Sequence, residues 1–347
     1  MAGPQLPHVG EEFYAAFKDT VALARHAFGN QSGKQFVFTG SGTIGMESSV
    51  VSLVSRGDKT LTLSTGYFGR RMLMLNQIHG ADADVMESPE GVHTSPEDLR
   101  RRLKEKKYLA VFITHVDTST SVANPVKELV EECAKAGVFS VVDAVCSVGG
   151  MPLDFDSLGA DIVFTASQKA LAGAPGAVLV AASQESMDYM SNRRAPIESY
   201  YMNLVRWNSI MEDPRMYLAT PATQVILALR EALSEVREEG LERRWERHRR
   251  LGETMRGKIA EWGLKPVVEE GYRADTVTSF WVRDGTAGAI QKKLEAEYGV
   301  MVARGLSENK DKMLRVGHFG NLQPQVLQEA LGHLGEVIQG HSVRAVT

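Results

Sequence analysis

The 347-residue chain has only two cysteines, Cys133 and Cys146, too few for the bridge framework that holds small secreted folds together. A reducing compartment is expected, with both thiols packed as small apolar side chains. No uninterrupted apolar run approaches the roughly 18 residues of a membrane span. The opening residues, Met1-Ala2-Gly3-Pro4-Gln5-Leu6-Pro7-His8, lack the basic and apolar regions of a secretion signal. These absences point to a cytoplasmic protein. Charge of one sign is lacking as well. With 39 basic against 43 acidic residues the net charge is −4, which indicates neither nucleic acid nor an anionic membrane as partner. The nine histidines form no ligand-like cluster, so no metal site is expected. Arginine alone is locally dense, in Arg243-Arg244-Trp245-Glu246-Arg247-His248-Arg249-Arg250. Glu238, Glu239, Glu242 and Glu246 neighbour these arginines, Glu239 and Glu246 at helical spacing, so a solvated helix face is expected there.

Apolar residues make up 43% of the chain, enough for one large domain with a smaller companion. Phe13, Phe17, Val21, Ala24 and Phe28 recur at helix spacing. Short β-type runs then alternate with amphipathic segments: Phe36–Phe38, Thr60–Leu63, Leu109–Ile113, Ser140–Val142, Asp161–Phe164 and Ala177–Val180. Several are apolar on consecutive residues, as in a sheet covered on both faces, so a doubly wound, mainly parallel α/β domain is expected. From Glu239-Gly240 the character changes to a long charged helix, the run Lys265–Val268, Thr278–Val282, a helix near Ala287 to Tyr298, Met313–Val316 and a final helix from Gln323. This reads as a small α+β domain. The expected division is an arm over 1–10, a large domain over 11–239 and a small domain over 240–347.

Two residues at strand ends carry the chemistry. Lys169 follows the run Ile162-Val163-Phe164 in the string Ala166-Ser167-Gln168-Lys169-Ala170-Leu171, and Asp143 ends the run Ser140-Val141-Val142. Together they suit pyridoxal phosphate. A lysine amine forms a Schiff base with the cofactor aldehyde, and an aspartate facing the pyridine nitrogen keeps the ring protonated as an electron sink. Taken singly, Asp143 could be a helix cap and Lys169 a surface lysine. Gly40-Ser41-Gly42-Thr43-Ile44-Gly45 follows a strand and opens a helix, so its backbone N–H groups could face a phosphate, or it could be a plain turn. The acid that a dinucleotide-binding fold places after the next strand is missing, since that run ends in Ser64-Thr65. Thr114 to Ser121 is dense in hydroxyls at a carboxyl end, either a ligand loop or a cap before Pro125.

The order of motifs then resembles one family. Ser41-Gly42, Gly66-Tyr67-Phe68-Gly69, Thr114-His115 through Ser121, Val142-Asp143 through Gly150, Ser167-Gln168-Lys169-Ala170-Leu171, Ala174-Pro175-Gly176 and Arg315-Val316-Gly317 look like the class V, fold-type I aminotransferases, closest to their alanine-glyoxylate and serine-pyruvate group. The similarity spans nearly the whole chain. It implies that Ser41, Gly42 and Thr43 form the phosphate turn, that Phe68 stacks on the cofactor ring, and that Thr118 lies near the ring's phenolic oxygen. Asp143 is then the pyridinium partner, Val145 the apolar contact on the other ring face, Gln168 a phosphate ligand and Lys169 the Schiff-base lysine. Tyr217 and Thr220 are implied to reach the phosphate of a neighbouring subunit in a homodimer, and Arg315 to clamp the substrate carboxylate. The chain departs from the family pattern at Phe68, where tryptophan is frequent, and at Gly3-Pro4-Gln5-Leu6, where relatives carry a Gly-Pro-Gly-Pro element.

The implied activity is pyridoxal phosphate-dependent transfer of an amino group from alanine or serine to a 2-oxo acid such as glyoxylate or pyruvate. No second arginine matches the one used for a distal carboxylate, while Arg206 and Arg304 have no assigned role. A lyase or desulfurase of the same fold would need a nucleophilic cysteine well after Lys169, and none follows Cys146. The other readings are a nicotinamide-dependent dehydrogenase, which leaves Lys169 unexplained, and a non-catalytic relative serving as a subunit of a larger assembly.

Overall fold

The computed structural model describes residues 6–343, and their side chains as far as Gly340. Gly3, Pro4 and Gln5 of the N-terminal departure lie outside the described residues. The large sheet contains β1 (Lys34–Thr39), β2 (Lys59–Ser64), β3 (Asp82–Glu87) and β4 (Ala110–Thr114). A two-stranded hairpin, β5 (Val116–Asp117) and β6 (Val122–Ala123), follows, and β7 (Phe139–Asp143), β8 (Ile162–Ala166) and β9 (Ala177–Ala182) complete the sheet. Its order is β1-β9-β8-β7-β4-β2-β3. β9 runs antiparallel to both neighbours and every other pairing is parallel, so all strands but β9 point the same way.

Alternate residues of these strands feed two separate cores, which is why the runs are apolar throughout. Val37, Val111, Ile113, Val142 and Val163 face one side, packed with Phe13, Phe17 and Phe28 of the helix Glu11–Phe28 and with Leu229 and Leu233 of the helix Thr223–Glu239. Phe36, Phe38, Phe112, Val141 and Phe164 face the other side, against the helices Gly42–Leu53, Tyr67–Ile78 and Leu204–Glu212. The edge strand β3 has no counterpart among the expected runs. Its Asp82-Ala83-Asp84-Val85-Met86-Glu87 sequence is only half-buried, and Asp84 accepts from Lys106 and the Tyr108 hydroxyl at 2.7 and 2.6 Å.

The C-terminal part builds its own sheet from β10 (Val277–Trp281), β11 (Ala303–Arg304) and β12 (Met313–Gly317), in the order β10-β12-β11, all antiparallel. Leu251, Met255, Phe280, Leu314 and Leu331 form a third core between this sheet and the helices Leu241–Glu261, Ala287–Tyr298 and Pro324–Val343. The run Lys265–Val268 makes one isolated bridge, Pro266 to Phe280, rather than a strand, because a proline has no N–H to give to a ladder. The arginine-rich helix is not solvated throughout. Arg249 and Arg250 do pair with Glu246 in solvent, but Arg244 is 1% exposed and His248 is fully buried. Arg244 donates from Nη2 to the Ala170 carbonyl at 2.7 Å and to Asn321 Oδ1 at 3.1 Å, and pairs through Nη1 with Glu239. Burial of a guanidinium is tolerated only with such partners.

Candidate active site

Because β1, β2, β4, β7 and β8 run in one direction, the segments after their carboxyl ends converge at one edge of the sheet. There Ser41, Gly42, Thr43, Phe68, Thr118, Asp143, Val145, Gln168 and Lys169 line a single cavity of ≈ 260 Å³, together with Met46, Arg71, Val116 and Cys146.

Each is held by local structure. Ser41 is the extended residue before the helix Gly42–Leu53, which leaves the first-turn N–H groups of that helix aimed at the cavity. A Cβ on Gly42 would lie 3.2 Å from Val145 Cγ2, so glycine keeps the floor open. Phe68 enters the cavity from the first turn of the helix Tyr67–Ile78. That turn is capped from a distant loop: Asp117 Oδ2 accepts the N–H groups of Phe68 and Gly69 at 3.0 and 3.3 Å, and Ser119 Oγ accepts that of Tyr67 at 2.9 Å. The approach is so close that a Cβ on Gly66 would stand 2.7 Å from Asp117 Cγ.

Lys169 sits on a tight turn between β8 and β9. Ser167 closes it, receiving the Gly173 N–H on its carbonyl at 2.8 Å and donating its hydroxyl to Ala174 O at 2.6 Å. Ala172 holds a left-handed φ of +61°, unusual for a residue with a Cβ, and gives its N–H to the Lys169 carbonyl at 2.9 Å. The Lys169 ammonium lies 5.3 Å from the centre of the Phe319 ring. Asp143, 5% exposed at the end of β7, has one hydrogen bond to a carboxylate oxygen, from the Val145 N–H at 3.0 Å. Burial pushes its carboxyl up to about 7, against a smaller downward pull from the Val145 N–H. Burial likewise pushes the Cys146 thiol up to about 12, which keeps it a poor nucleophile at neutral pH.

A family model described as Aminotransferase class-V matches residues 2–319. The chain is 33% identical to alanine–glyoxylate aminotransferase 1 of Saccharomyces cerevisiae, over 91% of this chain and 86% of that protein. It is 31% identical to the serine–glyoxylate aminotransferase of Methylorubrum extorquens, over 93% and 83%. The solved structure of the alanine–glyoxylate aminotransferase from Nostoc sp. superposes with a TM-score of 0.93 at 29% identity, covering 96% of this chain and 89% of that one.

The chain belongs to the class-V aminotransferase family.

It has the α/β architecture of fold-type I aminotransferases, a mixed seven-stranded sheet flanked by helices. The cavity fits the phosphorylated pyridine aldehyde associated with this family. It presents a lysine amine, a buried carboxylate in no ion pair among the described residues, helix N–H groups, and the Gln168 amide, whose Oε1 is buried without a partner. Three of the expected site residues are not among those lining it. Arg315 on β12 adjoins it, donating from Nη1 to the Thr118 carbonyl at 2.7 Å and from Nε to the Arg304 carbonyl at 2.8 Å. Tyr217 is 62% exposed and bonded to the exposed Thr220 at 2.7 Å, on a surface shared with His8 and Phe13. Of the two arginines without a role, Arg206 lies over the Tyr200 ring at 5.0 Å and Arg304 pairs with Asp311 at 3.3 Å, so neither lines the cavity. Asp117 and Arg71 were not singled out from the sequence. Asp117 did stand in the hydroxyl-dense loop, where an acid among serines and threonines is itself a capping signal.

Proposed function

We propose that the chain is a pyridoxal phosphate-dependent aminotransferase that moves the amino group of alanine or serine to glyoxylate or pyruvate. The carrying observation is the meeting of Lys169, Asp143 and the Ser41-Gly42-Thr43 turn in one cavity. The glyoxylate-using relatives support the choice of acceptor.

When bound, the cofactor accepts the electrons released as the substrate Cα loses its proton. Asp143 would pair with the ring nitrogen, where a pyridinium charge would favour its carboxylate against the protonated form that burial favours. The Lys169 amine would hold the cofactor through its aldehyde and would serve as the general acid and base that carries the substrate Cα proton. Ser41, Gly42, Thr43 and Gln168 would hold the phosphate, while Phe68 and Val145 would bracket the ring. Thr118 would bind the phenolic oxygen. Arg315, already fixed by two backbone carbonyls, offers its remaining N–H groups to the substrate carboxylate. Tyr217 and Thr220, exposed and away from their own cavity, serve the partner's phosphate in a homodimer. The division into a large unit to residue 239 and a small unit from Gly240 belongs to the same reading, as does a cytoplasmic location, where both buried thiols stay reduced.

Among the described residues no arginine beyond Arg71 lines the cavity, so a distal carboxylate would have to be buried without an assigned partner. Alanine and serine with glyoxylate should therefore exceed glutamate with 2-oxoglutarate in kcat/KM. A donor and acceptor panel on the cofactor-loaded protein tests this, and the reverse order would refute the substrate assignment.

A further inference from the structure

Arg71 is a charged side chain of the cavity to which the reading above gives no role. Three charged residues line that space: Asp143, Lys169 and Arg71. The i to i+3 spacing on the helix Tyr67–Ile78 sets Arg71 beside Phe68, with its guanidinium carbon 4.8 Å from the centre of that ring and 5.1 Å from the Tyr67 ring. From there Nη1 donates to Thr43 Oγ1 at 3.2 Å, in the first turn of the helix Gly42–Leu53. Among the described residues Arg71 has no carboxylate ion pair. Glu47, one turn beyond Thr43, pairs instead with His79 at 2.9 Å.

The other groups of this chain at that end of the cavity are neutral: the Ser41 and Thr43 hydroxyls, backbone N–H groups and the Gln168 amide. A phosphate monoester carries about −1.5 to −2 charges at neutral pH. A helix N-terminus answers with only about half a charge. An anion of that size held mainly by neutral donors in a half-enclosed cavity lacks its counter-charge, and a guanidinium with no carboxylate partner stands one hydrogen bond from the turn that would hold it.

We infer that Arg71 is the counter-charge for the cofactor phosphate, oriented by Thr43 Oγ1 and packed against Phe68. The inference rests on the cofactor reading given under Proposed function. It adds a binding residue whose effect depends on the phosphate and not on the ring.

The test compares pyridoxal phosphate with pyridoxal, which has the same ring and aldehyde but no phosphate, in equilibrium binding to cofactor-free wild type, Arg71→Gln and Arg71→Lys. Inorganic phosphate serves as a competitor without a ring. Arg71→Gln should weaken pyridoxal phosphate at least tenfold and leave pyridoxal within about twofold, the loss expected of one charged hydrogen bond. Phosphate should compete correspondingly less well against pyridoxal phosphate in that variant, and Arg71→Lys should recover most of the affinity. Equal weakening of both aldehydes would place Arg71 on the ring and overturn the inference, as would unchanged binding of both. If wild type bound both aldehydes but without a covalent link to Lys169, the cofactor reading would fail while the phosphate dependence on Arg71 was still decided. Wild type that bound neither aldehyde would overturn both.

Discussion

Asp117 and Phe68 are 49 residues apart in sequence and joined by a hydrogen bond of 3.0 Å from the Phe68 N–H to Oδ2. The same oxygen takes the Gly69 N–H, and the other takes the N–H and hydroxyl of Ser119. One buried carboxylate thus caps the helix that presents the ring-stacking residue and ties it to the loop that carries Thr118. Asp117→Ala should lower unfolding stability by about 2 kcal/mol, with orphaned helix N–H groups as the cause, and should speed cofactor loss. Asp117→Asn, which keeps an acceptor, should recover part of both. Denaturant unfolding and cofactor release rates give the readout, and wild-type behaviour in the alanine variant would contradict the capping role.

The raised carboxyl of Asp143 predicts a pH effect in the cofactor-free protein. An ordinary aspartate titrates near 3.8, whereas this one is pushed to about 7. Folding therefore favours the protonated form. Its stabilising effect is complete below about pH 4 and is lost as pH rises towards 7. Cofactor-free Asp143→Asn should match wild type in acid and become the more stable of the two above neutrality, by up to roughly 4 kcal/mol. Thermal unfolding from pH 4 to 8 would show the two curves diverging; parallel curves would contradict the assignment. With cofactor and substrate the order should reverse, Asp143→Asn losing on the order of a thousandfold in the proton-transfer rate, about 4 kcal/mol of transition-state stabilisation.

Arg244 and Arg250 lie on one helix in opposite environments. Arg244 is 1% exposed and bonded to Glu239, Ala170 and Asn321, while the Arg250 side chain is 73% exposed in its pair with Glu246. Glu239 keeps its two bonds from Arg247 at 2.6 and 2.9 Å, so Arg244→Ala should cost about 2–3 kcal/mol, through the Ala170 carbonyl and Asn321 Oδ1 left without their donor. Arg250→Ala should stay within about 0.5 kcal/mol of wild type. Similar unfolding midpoints for the two variants would contradict this contrast.

Tyr217 and Thr220 are assigned to the partner's phosphate. Mixed dimers of inactive Lys169→Ala chains with inactive Tyr217→Phe/Thr220→Ala chains would hold both lesions in one site and leave the other intact. Activity should return towards half of the wild-type value per dimer. Dimers shown to form without recovering activity would place both residues in their own subunit's site.

The strands of the large sheet were legible because a sheet covered on both faces demands apolar residues at consecutive positions, as in Val111-Phe112-Ile113. β3 was not, because an edge strand with three acids and half-buried positions carries no such signal. Lys169 and Asp143 could be found by residue type and position at strand ends. Phe68, Gln168, Tyr217, Thr220 and Arg315 drew their roles from resemblance, since nothing in their local pattern names a ligand. The burial of Arg244 was hidden for a different reason. Its neighbours Arg243, Arg249 and Arg250 have glutamates at helical spacing, whereas Gly240, Leu241, Arg247 and His248, three and four residues from Arg244, offer it none. That gap sets it apart but does not name Ala170 and Asn321, which approach only in the tertiary structure.

The most direct measurement is the location of the covalent link. The protein loaded with pyridoxal phosphate should be yellow. Borohydride reduction, proteolysis and mass spectrometry should then find the added mass on the peptide carrying Lys169, with Lys169→Ala showing neither the mass nor turnover while still binding the cofactor reversibly. Reducible label on a different lysine, or persisting in Lys169→Ala, would contradict the account.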